Sequence, residues 1–397
     1  MRIMLLYPHP PEPDGQSLQG VYLRKGLKEN GHEVVVCDRA DNIQKEWAYR
    51  SFKPDVAIGI GYWADTPDLI LDPLEHGVAA VPWFNADGWI ANYHQILNSL
   101  PLLMVTSTWV KSTYIRDGVS GENIQVAHIG FDPSVFYPRS DSAVHDLRRT
   151  LGIEDDEKMI LTIGGDATSK GAQEMFRALT LINPHFQKWK YVCKVWNSFS
   201  ARNHGKEERR LIRELGLDIN KIIYLEGKYS PEFMALLLNA CDIYTAPSRL
   251  EGFGMIQVEA QACGKPVISI NAGGPRDTII HEKTGFLANV ASEIKLEREW
   301  AYPWMGFEEK RQIEFPEPKT FAYRADTNQL AMYTRRLLEN DHLREQMGKA
   351  AAAHASEQFH YVKRTQHIVD LIKSSMLKKE RVEAVQLSHK TSDSNII

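Results

Sequence analysis

The most informative segment of the chain reads Ser248-Arg249-Leu250-Glu251-Gly252-Phe253-Gly254-Met255-Ile256-Gln257-Val258-Glu259. A run of strand-forming residues leads into it, and the apolar spacing after Gly254 predicts a helix. Glu251 therefore lies on the loop, and Glu259 lies roughly one to two turns into the helix. Because Gly252 and Gly254 have no side chains, a ligand can approach the backbone, and the free N–H groups of the helix start suit a phosphate. The stretch predicts an anion-binding loop flanked by two carboxylates.

Around this stretch, short apolar runs alternate with helical segments along most of the chain. The predicted strands of the first part are Ile3–Tyr7, Glu33–Cys37, Asp55–Ile60, Ala79–Trp83, Leu102–Thr106 and Ile124–His128. Those of the second part are Met159–Ile163, Lys190–Val195, Ile222–Leu225, Ile243–Ala246 and Pro266–Ile270. Strands that alternate with helices favour parallel sheets covered on both faces. We therefore predict an α/β protein of two doubly wound, Rossmann-like domains that face each other across a cleft, with ligands at the carboxyl ends of the strands.

A break in the alternation at Pro133–Asp156 predicts the connection between the two domains. We assign residues 1–138 to the N-terminal domain and residues 139–359 to the C-terminal domain. A last helix is predicted at 360–376, and the charged residues 377–397 are predicted to form a solvated polar tail.

Composition excludes several classes of protein. The 397 residues carry a formal net charge of -4, so nothing points to a nucleic-acid partner. The four cysteines are widely spaced and suit buried, reduced thiols rather than a zinc site. No segment reaches the roughly 20 apolar residues of a membrane span, and the N-terminus reads as a strand. We expect a cytoplasmic protein, with peripheral membrane contact left open.

Several motifs together carry a resemblance to a known family. The stretch from Glu251 to Glu259 resembles the E-x7-E motif of retaining glycosyltransferases with the GT-B fold, in particular the large family 4. Further segments resemble motifs of that family and occur in its order: Asn30-Gly31-His32-Glu33-Val34, Gly130-Phe131-Asp132-Pro133, Lys170-Gly171, Gly264-Lys265-Pro266-Val267-Ile268, Gly273-Gly274-Pro275-Arg276-Asp277 and Thr284-Gly285-Phe286-Leu287. The ordered set is specific to fold and reaction class and says little about the substrate.

The resemblance implies a retaining transfer of a sugar from a nucleotide-diphosphate donor, held by the C-terminal domain, to an acceptor hydroxyl at the N-terminal domain. The acceptor is a saccharide, a lipid-linked molecule or another small molecule. The resemblance also implies that the last helix packs back on the N-terminal domain. Because no Asp-x-Asp motif occurs, we expect neither a metal nor another cofactor, and the oligomeric state, monomer or homo-oligomer, stays open.

Carried over residue by residue, the resemblance assigns roles to particular positions. Glu251 contacts hydroxyls of the transferred sugar, and Glu259 contacts those of the ribose. Lys170 neutralises the diphosphate, although a surface lysine is its ordinary alternative. The amides of Gly252, Phe253, Gly254 and Met255 hold the distal phosphate. Gly15, expected on the loop after the first strand, lets the N-terminal domain approach it.

Two departures from the family pattern leave choices open. Gly165 stands where the family usually has an arginine, so that Arg276 or Arg249 becomes the candidate second cation. The family often has a histidine after the fourth strand, and here Asn85 or Asp87 takes its place. Asp87 either contacts the sugar or the acceptor, or it caps a helix.

These departures motivate one alternative function, a non-catalytic protein that binds a nucleotide sugar or a partner. A nicotinamide-dependent oxidoreductase is the other, but its only sign is Gly59-Ile60-Gly61, a loose fingerprint with Asp65, Thr66 and Pro67 where a helix should start. The aromatic cluster Trp300–Phe307 fits a sugar-stacking or interface patch as well as an ordinary packed insertion.

Overall fold

The computed structural model describes residues 1–85, 88–196 and 198–392, with side chains up to residue 377. Its N-terminal domain contains a six-stranded sheet of order β2-β1-β3-β4-β5-β6, in which all pairs are parallel. The strands are β1 Arg2–Tyr7, β2 Glu33–Asp38, β3 Val56–Gly61, β4 Ala79–Phe84, β5 Leu103–Val105 and β6 Ile124–Val126. The helices are α1 Gly15–Glu29, α2 Asn42–Trp47, α3 Asp72–Glu75, α4 His94–Ser99 and α5 Thr108–Arg116, with short helical turns at Ala48–Phe52, Trp63–Asp65 and Pro67–Leu71.

The C-terminal domain repeats the arrangement with a parallel sheet of order β12-β11-β10-β7-β8-β9. Its strands are β7 Lys158–Ile163, β8 Trp189–Val195, β9 Ile222–Glu226, β10 Ile243–Ala246, β11 Val267–Ile270 and β12 Gly285–Ala288. Its helices are α6 Ser142–Thr150, α7 Ala172–Ile182, α8 Phe199–Glu214, α9 Pro231–Ala240, α10 Met255–Ala262, α11 Pro275–Thr278, α12 Thr327–Glu339 and α13 Asp341–Gln358. Two doubly wound sheets confirm the predicted fold class.

Strand order determines where a ligand can bind. The order reverses at β1 in the first sheet, between β2 and β3, and at the β7–β10 pair in the second. In open α/β sheets, ligands bind at the carboxyl ends of the strands beside such a switch point. The loops that follow β1, β7 and β10 therefore mark the expected site.

The last helix, α14 Tyr361–Ser392, leaves the C-terminal domain and packs against α1. The phenol of Tyr361 donates to Glu29 at 2.7 Å, and a Cβ on Gly26 would overlap Thr365, so the two helices are in close contact. The helix does not end near Met376 but continues through most of the predicted tail. Because residues 377–392 include neither proline nor glycine and many Leu, Lys, Glu and Arg, their intrinsic helix propensity is high.

The predicted aromatic insertion is an antiparallel hairpin, β13 Val290–Ala301 and β14 Arg311–Ala325, joined through a turn at Pro303–Met305. It extends from the C-terminal domain to the N-terminal domain, where Met305 is buried among N-terminal core residues. Asn92 donates to the carbonyl oxygen of Met305 at 3.1 Å, and Phe315 packs on Trp89 with ring centroids 5.6 Å apart. The hairpin thus joins the two domains outside the sheets.

Three local expectations differ from the structure. The predicted connection Pro133–Asp156 contains α6, which packs on α9 because Val144 and Leu147 are buried. Gly15 is the first residue of α1 rather than a loop residue, since the Asp14 side chain caps the helix one residue earlier. Pro67 begins a helical turn after β3 instead of preventing one, as its fixed φ allows at a first helical position.

Candidate active site

A cavity of about 370 Å³ lies between the domains, at the carboxyl ends of the strands beside both switch points. Both domains contribute side chains and backbone to its wall. From the N-terminal domain come Pro13, Asp14, Gly15, Gln16, Tyr22 and Asn85, and from the C-terminal domain come Gly164, Gly165, Lys170, Lys194, Trp196, Tyr229, Glu251, Phe253, Gly254, Met255, Gln257 and Glu259, among others.

Glu251 and Lys170 form an ion pair in the cavity wall, although 81 residues separate them in the chain. Lys170 Nζ lies 2.7 Å from Glu251 Oε2, and Ser248 Oγ donates to the same carboxylate oxygen at 3.3 Å. Both side chains keep part of their surface exposed, 24% for Lys170 and 18% for Glu251. The pair is therefore fixed in position while it stays accessible to a ligand.

Two glycines at helix starts explain why this geometry can form. Gly254, before α10, has φ of +96°, and Gly171, before α7, has φ of +87°, which are left-handed values that favour glycine. At Gly171 a Cβ would also lie 2.4 Å from the carbonyl oxygen of Pro247, which belongs to the loop after β10. The loops after β7 and β10 consequently touch through backbone, and this contact brings Lys170 to Glu251.

The start of α10 is open towards the cavity. Among the residues that the structure describes, no side chain caps this helix, and Gly254, Met255, Ile256 and Gln257 line the cavity. The first N–H groups of a helix lack partners within the helix, and the helix dipole favours negative charge there. This end of the cavity is therefore suited to an anion such as a phosphate.

Glu259 lies deeper on α10 and contacts the N-terminal domain. Its side chain lines the cavity although the residue is only 5% exposed, and the phenol of Tyr22 on α1 donates to its Oε1 at 3.0 Å. Burial raises the pKa of the Glu259 carboxyl to about 8. The Tyr22–Glu259 hydrogen bond connects the two domains directly across the cavity.

The N-terminal wall approaches the Glu251 loop closely at Asn85. Its Oδ1, which accepts from Thr106 Oγ1 at 2.6 Å, would lie 2.2 Å from a Cβ on Gly252. Because Gly252 has no side chain, the two domains can come into close contact at this point. The glycine therefore serves the contact between domains as well as the approach of a ligand. Asp87, the alternative to Asn85, lies outside the described residues.

Other proposed donor-binding residues are placed differently. Arg249 forms an ion pair with buried Glu174 at 3.2 Å and is not part of the cavity wall. Arg276 is exposed on α11, also away from the wall. Neither arginine supplies a cation to the cavity, because Arg249 is directed to Glu174 on α7 and α11 presents Arg276 to solvent. Phe253 contributes to the wall, and its ring packs between His128 and Phe359 at 5.8 Å.

The cavity also contains residues that the sequence did not single out. Lys194, at the end of β8, is 3% exposed and lines the wall with Trp196 and Tyr229. Tyr22 was hidden within an amphipathic helix. Lys194 could have been noticed in the sequence, because a lysine within the apolar run of a buried strand is unusual and indicates a specific role.

The described residues were also considered for a metal site and for a membrane-spanning helix. Within the described residues, no group of three His, Cys, Asp or Glu side chains could hold a metal ion. Within the same residues, no helix has the length and apolar character needed to span a bilayer.

Comparison with known sequences finds a family similarity in the C-terminal part of the chain. Residues 144–301 match the family model described as glycosyl transferases group 1. The D-inositol 3-phosphate glycosyltransferase of Corynebacterium jeikeium is 31% identical over 201 residues, which is 49% of this chain and 47% of that protein. The protein of the same name from Thermomonospora curvata is 29% identical over 177 residues, 43% of this chain and 41% of that protein. The matches thus span about half the length of these curated relatives.

Comparison with solved structures covers nearly the whole chain. The Anabaena protein HepE, solved in complex with UDP and glucose, superimposes with a TM-score of 0.72 at 18% identity, over 94% of this chain and 100% of that one. Sucrose-phosphate synthase from Thermosynechococcus elongatus gives 0.72 at 19% identity, over 95% and 99%. Residues 144–301 are therefore similar to the glycosyl transferases group 1, and the two facing domains have the GT-B fold of the solved structures.

Proposed function

We propose that the chain is a retaining glycosyltransferase of family 4, which transfers a sugar from a nucleotide-diphosphate sugar to an acceptor hydroxyl. The observation that carries the proposal is the Lys170–Glu251 pair at 2.7 Å beside the uncapped start of α10. One cavity thus combines a cation, an anion-binding helix start and a carboxylate. These are the groups that a sugar attached to a diphosphate requires.

The mechanism follows from where charge develops. As the bond between sugar and diphosphate breaks, negative charge grows on the leaving diphosphate. Preorganised cations and helix N-termini stabilise such charge more in the transition state than in the ground state. Lys170 and the amides after Gly254 supply this stabilisation, and Glu251 accepts hydrogen bonds from hydroxyls of the sugar. Glu259 accepts from the ribose, while Gly15 and Asn85 close the cavity from the N-terminal side.

The comparisons suggest which donors to test first. HepE was solved with UDP and glucose and, in another crystal, with UDP-glucose. UDP-sugars are therefore the first donors to test. The relatives named D-inositol 3-phosphate glycosyltransferase add inositol phosphate to the acceptor panel, beside simple saccharides and lipid-linked sugars. We place the reaction in the cytoplasm, where nucleotide sugars are available, and peripheral contact with a membrane is compatible with a lipid-linked acceptor.

The test is a transfer assay with UDP-, GDP- and ADP-sugars against the acceptor panel, followed by proton NMR of the product. Retention predicts that donor and product share their anomeric configuration. Binding of a nucleotide sugar with neither transfer nor hydrolysis would favour the alternative, a non-catalytic binding protein. An inverted product would contradict the retaining mechanism.

We expect transfer to be independent of metal ions, because Lys170 and the start of α10 stabilise the charge that a metal would otherwise neutralise. Activity measured after extensive treatment with EDTA should equal that of untreated protein. Loss of activity that magnesium or manganese restores would contradict this account.

A further inference from the structure

Two lysine side chains are buried among the described residues, and their surroundings differ. Lys45 is 1% exposed, and its ammonium lies 3.3 Å from Asp68 and 3.4 Å from Asp72. Lys194 is 3% exposed, yet within the described residues it has neither a carboxylate within 4.0 Å nor a hydrogen-bond partner for its ammonium. A buried charge without a partner is unfavourable. The arrangement at Lys194 therefore points to a ligand that supplies the missing negative charge.

The position of Lys194 identifies where that ligand binds. The residue lies at the carboxyl end of β8, in register with Ile163 of β7, and its carbonyl oxygen accepts from the Gly164 N–H at 3.0 Å. Its side chain lines the cavity, and its ammonium lies 5.8 Å from the ring centroids of both Trp196 and Tyr229, which line the cavity too. Lys194 thus adjoins the loop that carries Lys170.

The loop after β7 leaves room for this side chain. Gly164 and Gly165 present no side chain to the cavity, and a Cβ on Gly165 would meet no atom within 4 Å. Neighbouring strands lie about 4.8 Å apart, a distance that the four-carbon stem of lysine spans easily. An ammonium from β8 can therefore occupy the space that a long side chain at position 165 would otherwise reach.

Burial lowers the pKa of Lys194 to about 8, so the ammonium form still predominates at pH 7. Among the cavity-lining residues that the structure describes, Lys170 is the other lysine or arginine. It is already paired with Glu251. A diphosphate placed at the start of α10 would thus find in Lys194 a cation that no carboxylate of the described residues neutralises.

We propose that Lys194 is the second cation of the donor site and binds the diphosphate of the donor nucleotide beside Lys170. The inference rests on the proposed function, because it assumes that a nucleoside diphosphate enters this cavity. It replaces Arg249 and Arg276, the cations expected from the sequence, with a residue on a different strand.

The test compares Lys194→Met with the matched control Lys190→Met. Lys190 lies on the same strand, four residues earlier, and contacts the carbonyl oxygen of Asn220 outside the cavity. Calorimetric and NMR titrations use UDP, GDP and ADP together with uridine, guanosine and adenosine. For the diphosphate that the unmodified protein binds best, Lys194→Met should weaken binding about 10- to 100-fold. Binding of the corresponding nucleoside should not change, and Lys190→Met should bind both ligands normally.

A second variant tests whether charge at this place is what matters. Adding Gly165→Arg to Lys194→Met puts a cation into the open space beside the same loop and should recover most of the lost diphosphate affinity. Thermal unfolding shows that the variants are folded, and Lys194→Met should be at least as stable as the unmodified protein because it removes a buried charge.

The outcomes separate the inference from the proposed function. If the unmodified protein binds no nucleoside diphosphate, the proposed function fails. If it binds one and Lys194→Met binds it equally well, the inference about Lys194 fails while the function stands. An equal loss for nucleoside and diphosphate, or no recovery with Gly165→Arg, would also overturn the inference, because Lys194 would then act on the base or on cavity shape.

Discussion

The two walls of the cavity are built in different ways. The C-terminal wall comes mainly from two short segments, Gly164–Lys170 and Glu251–Glu259, each of which begins in the loop after a strand. The N-terminal wall comes from one segment at the start of α1, Pro13–Tyr22, and from Asn85, Ile129 and Phe136, which are spread along the chain. The two C-terminal segments are recognisable as motifs because each combines glycines with a charged residue, whereas Tyr22 and Asn85 become part of a cavity wall only when the domains are docked.

The walls also differ in charge. The C-terminal wall carries two lysines, the open start of α10 and the carboxyl groups of Glu251 and Glu259. The N-terminal wall offers the phenol of Tyr22 and the amide of Asn85, and the Asp14 carboxylate there is engaged in capping α1. If charge stabilisation dominates catalysis, substitutions in the C-terminal wall should cost the most activity.

The largest effect is expected at Glu251. Glu251→Gln keeps the size of the side chain but removes the carboxylate that pairs with Lys170 and that we propose contacts the sugar. We expect kcat to fall by about 100- to 1,000-fold, the range for one preorganised catalytic contact. The matched control is Glu345→Gln, at an exposed position on α13. Normal kcat in folded Glu251→Gln would mean that the sugar lies elsewhere.

Lys170→Met should follow, with kcat reduced about 10- to 100-fold and a raised donor KM, because the proposed contact of its charge with the diphosphate is made in both ground and transition states. Lys349→Met, on the exposed face of α13, is the control. A change in KM alone would show that Lys170 holds the donor without assisting departure of the leaving group.

Glu259→Gln should mainly raise the donor KM by several-fold, since the proposed ribose contact is made equally in ground and transition states.

The substitution also tests the ionisation of the buried carboxyl. Its pKa is about 8 in the folded protein and near 4.5 when unfolded, so between these values the folded state binds the additional proton. The contribution of Glu259 to stability is therefore complete below pH 4.5 and is lost as pH rises to about 8.

The glutamine variant has no such proton to lose. The Tm of Glu259→Gln minus that of the unmodified protein should therefore increase steadily from pH 5 to pH 8.5. Scanning calorimetry of both proteins over this range provides the measurement. A difference that is constant with pH would mean that the carboxyl is already ionised in the folded protein.

The smallest effect is expected in the N-terminal wall. Tyr22→Phe removes one hydrogen bond to Glu259 and leaves the ring in place. A net loss of about 0.5–1.5 kcal/mol corresponds to a 2- to 10-fold weaker affinity for the donor, with kcat retained. Tyr137→Phe, at an exposed position, serves as the control. A loss as large as that of Glu251→Gln would remove the proposed difference between the walls.

Features that depend on neighbours in the chain were predictable from the amino-acid sequence. Alternating strands and helices gave the two doubly wound domains, because the burial of each element follows from its own periodicity. The pattern did not indicate β13 and β14, whose exposed residues, together with Pro316 and Pro318, break strand alternation. The loop of Glu251 and Gly254 was predictable for the same local reason, since a glycine at positive φ and a helix start lie within a few residues.

Which charged groups come into contact depends on the tertiary structure. Arg249 was an equally good candidate in sequence, but α7 places Glu174 against it and removes it from the cavity. In the sequence, Lys194 is a single charged residue within an apolar strand. Only in the folded protein does the end of β8 form part of the cavity wall. Burial and ion pairing depend on residues far apart in the chain, such as Tyr22 and Glu259. No local pattern encodes these distances, and so only the folded chain brings the cations, the carboxyl groups and the helix start to one place.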